Sequence, residues 1–291
     1  MAPHPVLLGR QVTRSLLASR IRPNMFANVH HVLLLSDPDA KAAATVAIRA
    51  DWDAGRFEPD HDTPVSTIGE PGRPDKPVLV TPREVAARSV HTAEGRAALI
   101  HALAHIEFNA INLALDAVYR FRGLPREYYG DWLQVAAEEA YHFTLLRDHL
   151  RTLGYEYGDF AAHNGLWEMA VKTAHDPLVR MALVPRVLEA RGLDVTPAIG
   201  RKLKQAGDAR AVEILAIIHS DEIGHVRIGN RWYGYLCAQR GLEPVATFRK
   251  LLEEYGTLRL RRPFDQVARR QAGFSARELE LLEELAANPR P

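Results

Sequence analysis

One cysteine, Cys237, is present among 291 residues. It excludes an intrachain disulfide, a four-cysteine zinc site and an iron–sulfur cluster held by this chain alone. Charge of one sign is also missing. Thirty-seven Lys and Arg against 36 Asp and Glu leave a formal net charge of +1, so no global field favours nucleic acid or a membrane surface. No uninterrupted apolar run approaches the ~18 residues of a membrane span. The arginine-bearing N-terminus, Met1 to Arg22, has no long apolar core or evident cleavage site. A cytoplasmic protein is the expectation.

What is present is helical punctuation. Asp37-Pro38 reads as a cap followed by a first-turn proline, opening a helix to about Asp53. Six prolines between Glu58 and Pro82 then forbid a regular core helix and predict an extended segment wrapped on the surface. Four long helices are predicted after it: about Glu94–Arg122, Arg126–Leu153, Asn164–Arg191 and Asp208–Arg240. Gly123, Gly154, Gly192 and Gly241 close them, and Pro177 and Pro185 interrupt the third. Thr196-Pro197 predicts a short extra helix ending near Gly207, and the tail reads as two shorter helices around Pro263 and Gly273. The expected fold is all-α. A leader (1–90) packs on a four-helix bundle (91–242), which a helical tail (243–291) follows.

The apolar stripe of each long helix is broken by carboxylate. Glu107 interrupts the stripe Ile100, Leu103, Ala104, Ala110, Ile111, and Glu189 interrupts Leu178, Ala182, Pro185. The second and fourth helices each carry Glu-x-x-His, namely Glu139 with His142 and Glu222 with His225. Three residues of helix place both side chains on one face, ~4.5 Å apart along the axis. Four carboxylates converging in one core repel unless cations sit among them. The spacing from Glu107 to Glu139 is 32 residues and from Glu189 to Glu222 is 33, so the chain reads as two similar helical hairpins. That order matches the carboxylate-bridged di-metal pattern of helical bundles. The same spacing at Glu58 and His61 falls around Pro59 and is a loop accident. A buried salt-bridge network is the competing reading, but these stripes lack nearby cations. Glu138 and Asp221 each lie four residues before a histidine, as acceptors for the outer ring nitrogen of a histidine in the bundle or as solvated helix-face charges.

Lesser candidates follow. His101 and His105 fall off the Glu107 stripe and read as surface or satisfied core positions, with the lining of a pocket as the alternative. Tyr119, Tyr141 and Trp132 read as core aromatics rather than an electron relay. Arg259, Arg261, Arg262, Arg269 and Arg270 read as a solvated tail helix, with an anionic substrate or RNA as the alternative.

The stretches HALAHIEFNAINLALDAVYRF (101–121), EEAYHF (138–143), LVPRVLEARGLDVTP (183–197) and DEIGHV (221–226) resemble a bacterial ferritin-like family catalogued as domain of unknown function number 455. They are more distantly similar to di-iron tRNA hydroxylases and to di-iron oxygenases and oxidases. The resemblance implies a fold and a metal site but no substrate. The expected cofactor is two metal ions, iron first, with manganese or zinc also compatible with mixed nitrogen and oxygen donors. The expected activity is a di-iron oxidoreductase acting with O2 or peroxide on an unknown small-molecule substrate, fed by an external electron donor. Iron handling as a ferroxidase and a structural di-metal protein are the alternatives. No membrane partner is expected, and nucleic acid has little support from the charge.

Overall fold

The computed structural model describes residues 24–84, 89–255 and 260–287. The first 23 residues of the leader and Arg259 therefore lie outside the described residues. The fold is all-α, with no strand among the described residues. In chain order the helices are α1 Met25–Leu33, α2 Pro38–Asp53, α3 Ala93–Arg120, α4 Arg126–Thr152, α5 Gly165–Lys172, α6 Pro177–Leu183, α7 Ala190–Gln205, α8 Ala209–Gln239, α9 Pro244–Glu254, α10 Gln266–Gln271 and α11 Ala276–Ala287. A π-helical turn, Val184–Glu189, joins α6 to α7.

Caps set most of these starts. Asp37 accepts from the Ala40 N–H at 2.7 Å, Thr92 from Gly95 at 3.0 Å and Asp208 from Ala211 at 3.0 Å. α3 and α4 pack along each other as a hairpin. Its turn needs Gly123 at φ 71°, a left-handed conformation that disfavours side chains. α8 packs against α4, α6, the π turn and α7. The bundle thus has four rods: α3, α4, α8 and the composite α6–π–α7.

The composite rod corrects the predicted third helix. Asn164–Arg191 is not one helix. α5 is separate and packs on α3, and a new start follows at Asp176, whose side chain accepts from Leu178 N–H at 2.7 Å. Pro185 has no N–H to donate, and its ring obstructs the carbonyl one turn earlier, so the α-pattern yields to a wider turn. No helix begins at Thr196-Pro197 either. α7 has been running since Ala190 and carries Pro197 inside it. The tail holds three helices rather than two. α1 was not expected, although Met25, Phe26, Val29, Val32 and Leu33 form its buried face.

Leader and tail are pinned by buried polar groups. Lys41 is sealed from solvent, and its ammonium donates to Leu33 O, Gly72 O and Asn112 Oδ1. Burial pushes its pKa down to about 7. The proline-rich segment is held to the bundle where Trp167 Nε1 donates to Gly69 O and Ser66 N donates to the Tyr119 hydroxyl. Arg269 does not belong to a solvated helix face. It is 2% exposed and makes a two-pronged bond to Asp194, at 2.9 and 2.7 Å, while Arg261 and Arg262 are exposed. Tyr119 and Trp132 are buried, but Tyr141 is 49% exposed and is not core. α3 is long and apolar enough by length and composition to span a membrane, contrary to expectation, yet it is mostly buried inside the bundle.

Candidate metal centre

Four of the six inward residues come from the two Glu-x-x-His motifs. On α4, Glu139 and His142 are both fully buried, and on α8 so is His225, with Glu222 9% exposed. Glu107 enters from α3 at 4% exposed. Glu189, the last residue of the π turn, is half-buried overall, but its Oε2 is sealed from solvent. Glu107, Glu139, His142 and Glu222 each offer one ligand atom, and these four atoms lie within 4.8 Å of one another.

The histidines face each other across the bundle, with ring centroids 5.8 Å apart. Glu139 lies between them. Its Oε2 is 3.6 Å from His142 Nδ1 and its Oε1 is 3.0 Å from His225 Nδ1. Glu107 Oε2 is 3.5 Å from His142 Nδ1, and Glu222 Oε1 is 3.6 Å from His225 Nδ1.

The outer ring nitrogens are bonded across the bundle, not along their own helices. His142 Nε2 donates to Asp221 on α8 at 3.0 Å, and His225 Nε2 donates to Glu138 on α4 at 2.7 Å. Each motif's preceding acid thus serves the opposite motif's histidine. A proton on Nε2 leaves the Nδ1 lone pair aimed inward.

The inner atoms stand without hydrogen-bond partners. Glu107 Oε2, both Glu139 oxygens, Glu189 Oε2, Glu222 Oε2 and both histidine Nδ1 atoms are buried and unsatisfied. Native cores pair over 90% of such groups, so seven orphans on six residues of one bundle interior demand an explanation. All seven atoms can serve as ligands to a cation, and among the described residues none of the six side chains forms an ion pair with a lysine or arginine. The donor set therefore fits a metal ion.

The electrostatics of the bare protein agree. Burial, then the adjacent Glu139, raises Glu107 well above the usual carboxyl range. Burial and the neighbouring Glu222 and Glu139 push Glu189 up to about 8. Glu222 is raised by burial and Glu139 as well. Burial works against charge on Glu139 too, but neutral Glu107 and the imidazoles around it outweigh burial and hold it low. Burial opposes a charged His142, yet Asp221, Glu107 and Glu139 push it up to about 12. Without a cation the cluster keeps protons in its place.

The π turn sits where it does because α8 makes room. A Cβ added to Gly229 would lie 2.4 Å from Pro185 Cβ and 2.5 Å from its Cγ. Only a bare α-carbon lets the Pro185 ring seat there, four residues from Glu189 on one side and four from His225 on the other. From the far side, Arg186 is fully buried among the rings of Tyr233, Phe248 and Phe274 and is ion-paired with Glu278 at the start of α11. The tail thereby grips the turn that carries Glu189.

Two lesser candidates are also placed. His101 and His105 are buried beside Tyr157, off the cluster. His105 Nδ1 is 2.9 Å from the Tyr157 hydroxyl, and Gly158 N–H donates to His101 Nε2. They belong to the packing of the 153–164 connection on α3.

Residues 34–280 match the family described as "Protein of unknown function (DUF455)". The chain belongs to this family. A Haemophilus influenzae protein described as "Uncharacterized protein" is 54% identical over 219 residues, covering 73% of this chain and 76% of the relative. No solved structure matches the chain. The matched region of the DUF455 family contains all six inward residues and both outer acids.

Proposed function

We propose that the protein is a di-iron carboxylate oxidoreductase of the ferritin-like kind, acting with O2 or peroxide on a small-molecule substrate. The observation that carries this reading is the ring of seven buried, unpartnered donor atoms whose two imidazoles are locked from outside by Asp221 and Glu138. Glu107 and His142 would hold one ion and Glu222 and His225 the second, with Glu139 between the two imidazoles and Glu189 beside Glu222. Six protein side chains of oxygen and imidazole nitrogen, with no thiolate, favour iron or manganese over soft-ligand metals. When bound, such a pair supplies one-electron steps and a place for oxygen to be reduced.

The chain's own residues define the rest. Asp221 and Glu138 take the Nε2 side of each ring, hold both rings in orientation and leave Nδ1 as the nitrogen that faces a metal. The buried walls exclude bulk water, so Glu107, Glu189 and Glu222 exchange protons for metal rather than for solvent contacts. An external donor supplies the electrons for turnover.

The test is anaerobic loading with ferrous iron, followed by exposure to O2. Wild-type protein is expected to bind two irons per chain and develop a near-ultraviolet absorption band within seconds, lost in Glu139→Ala and Glu222→Ala. A protein that loads metal but responds neither to O2 nor to peroxide contradicts the redox reading and leaves a structural metal site.

A further inference from the structure

α7 and α8 part to leave a largely apolar groove of about 310 Å3, lined in part by Pro197, Gly200, Leu215 and Ala216. This is within the size range of small-molecule sites, roughly 300–1,000 Å3. The gap has local causes. Pro197 removes one backbone donor from the middle of α7, and Gly200 and Ala216 bring no bulk to fill the space between the helices.

The two ends of the groove differ. His219 forms one end, three residues before Glu222 on α8, and so about one helical turn, ~4.5 Å along the axis, from the cluster. Its Nδ1 is buried without a hydrogen-bond partner. On α7 the groove begins at Thr196, two turns beyond Glu189. At the other end stand Arg201 and Lys204, both exposed. Among the described residues neither makes an ion pair, whereas most of the described arginines are paired. An apolar trough with unpaired cations at its mouth selects an apolar chain with an anionic end.

We infer that the α7–α8 groove binds an aliphatic chain ending in an anionic head, with the head on Arg201 and Lys204 and the chain running toward His219 and the cluster. A segment of this chain is the other conceivable occupant. Residues 1–23 carry four arginines and no acidic residue, so their charge opposes that of the mouth. The inference deepens the oxidoreductase reading by naming its substrate class, and as a substrate site it rests on that reading. Binding itself does not require metal, and this separates the two.

The experiment is calorimetric titration of the full chain, with and without bound iron, against decanoate, decanol and decylamine below their micellar concentrations. Decanoate is expected to bind one per chain in both forms, decanol more weakly, and decylamine not measurably. Ala216→Trp fills the trough from an exposed helix position and is expected to abolish decanoate binding while leaving iron stoichiometry unchanged. The double change Arg201→Glu with Lys204→Glu is expected to weaken decanoate roughly tenfold, the scale of two exposed attractions turned to repulsions. Being confined to exposed side chains, it tests the site even if Ala216→Trp fails to fold. No decanoate binding, equal binding of decylamine, or binding indifferent to both variants overturns the inference, whatever the iron content. Binding that appears only after residues 1–23 are removed assigns the groove to that segment and overturns it too. Failure to bind iron with decanoate binding intact would instead sink the di-iron reading.

Discussion

Replacing Gly229 by alanine tests how the cluster is assembled without touching any of its donor atoms. The new methyl would sit 2.4 Å from Pro185 Cβ, about 1.1 Å inside the shortest comfortable carbon–carbon separation of roughly 3.5 Å. Neither partner yields easily. Pro185 is a ring fused to the backbone, Gly229 lies mid-helix, and Arg186 is clamped on the opposite side by three aromatic rings and Glu278. Overpacking of this kind costs about 1–3 kcal/mol. In a domain of this size that lowers the thermal midpoint by roughly 2–4 °C per kcal/mol. Relief must come largely from moving the π turn away from α8, and Glu189 moves with it by about 1 Å. A displaced carboxylate donor loosens the second ion, so ferrous titration should show one tight site retained and the other weakened by at least ~10-fold, the lower range for lost support of a metal ligand. The assay is iron stoichiometry by titration alongside differential scanning calorimetry. An alanine variant with wild-type midpoint and two equal sites would refute the argument that Gly229 sets the position of Glu189.

Other consequences follow from the same geometry. Asp221→Asn should weaken the ion at His142, and Glu138→Gln the ion at His225, each by about 10–100-fold in titrations, because each replaces the charged acceptor of an imidazole on the opposite helix with a neutral, weaker one. The metal-free protein should be less stable at about pH 8 than at about pH 5.5. Glu189 is raised to about 8 and His142 to about 12, so the folded state holds protons that the unfolded chain releases, and stability drains as pH rises through that window. Iron affinity should rise over the same interval, since metal competes with those protons; thermal midpoints of metal-free and loaded protein across pH check both signs. Glu278→Gln should destabilise by about 3–5 kcal/mol in denaturant titration, because it strands the fully buried Arg186.

Much of the scaffold was legible because its signals are local. The Asp37-Pro38 start, the hairpin turn at Gly123 and the ends of α3, α4 and α8 lie within a few residues of the predicted bounds. The composite third rod was not legible to the same degree. Pro185 reads as an interruption, but whether the chain stops, kinks or widens into a π turn depends on Gly229, 44 positions away. α1 is not among the predicted elements, although Asn24 caps it and its apolar residues recur at helical spacing. For the site, spacing alone put Glu139 with His142 and Glu222 with His225 on shared faces. Which acid serves which histidine is a tertiary fact: Asp221 and Glu138 reach across the bundle, and no spacing along one helix encodes that crossing. Arg269 shows the converse error, since a run of arginines looks solvated until the buried Asp194 is seen beside one of them.

The most direct measurement is anomalous diffraction at the iron absorption edge from crystals of iron-loaded protein. The account predicts two peaks in the bundle interior, one against Glu107 and His142 and one against Glu189, Glu222 and His225, with Glu139 touching both. An empty interior, or iron bound only at surface carboxylates, would contradict it.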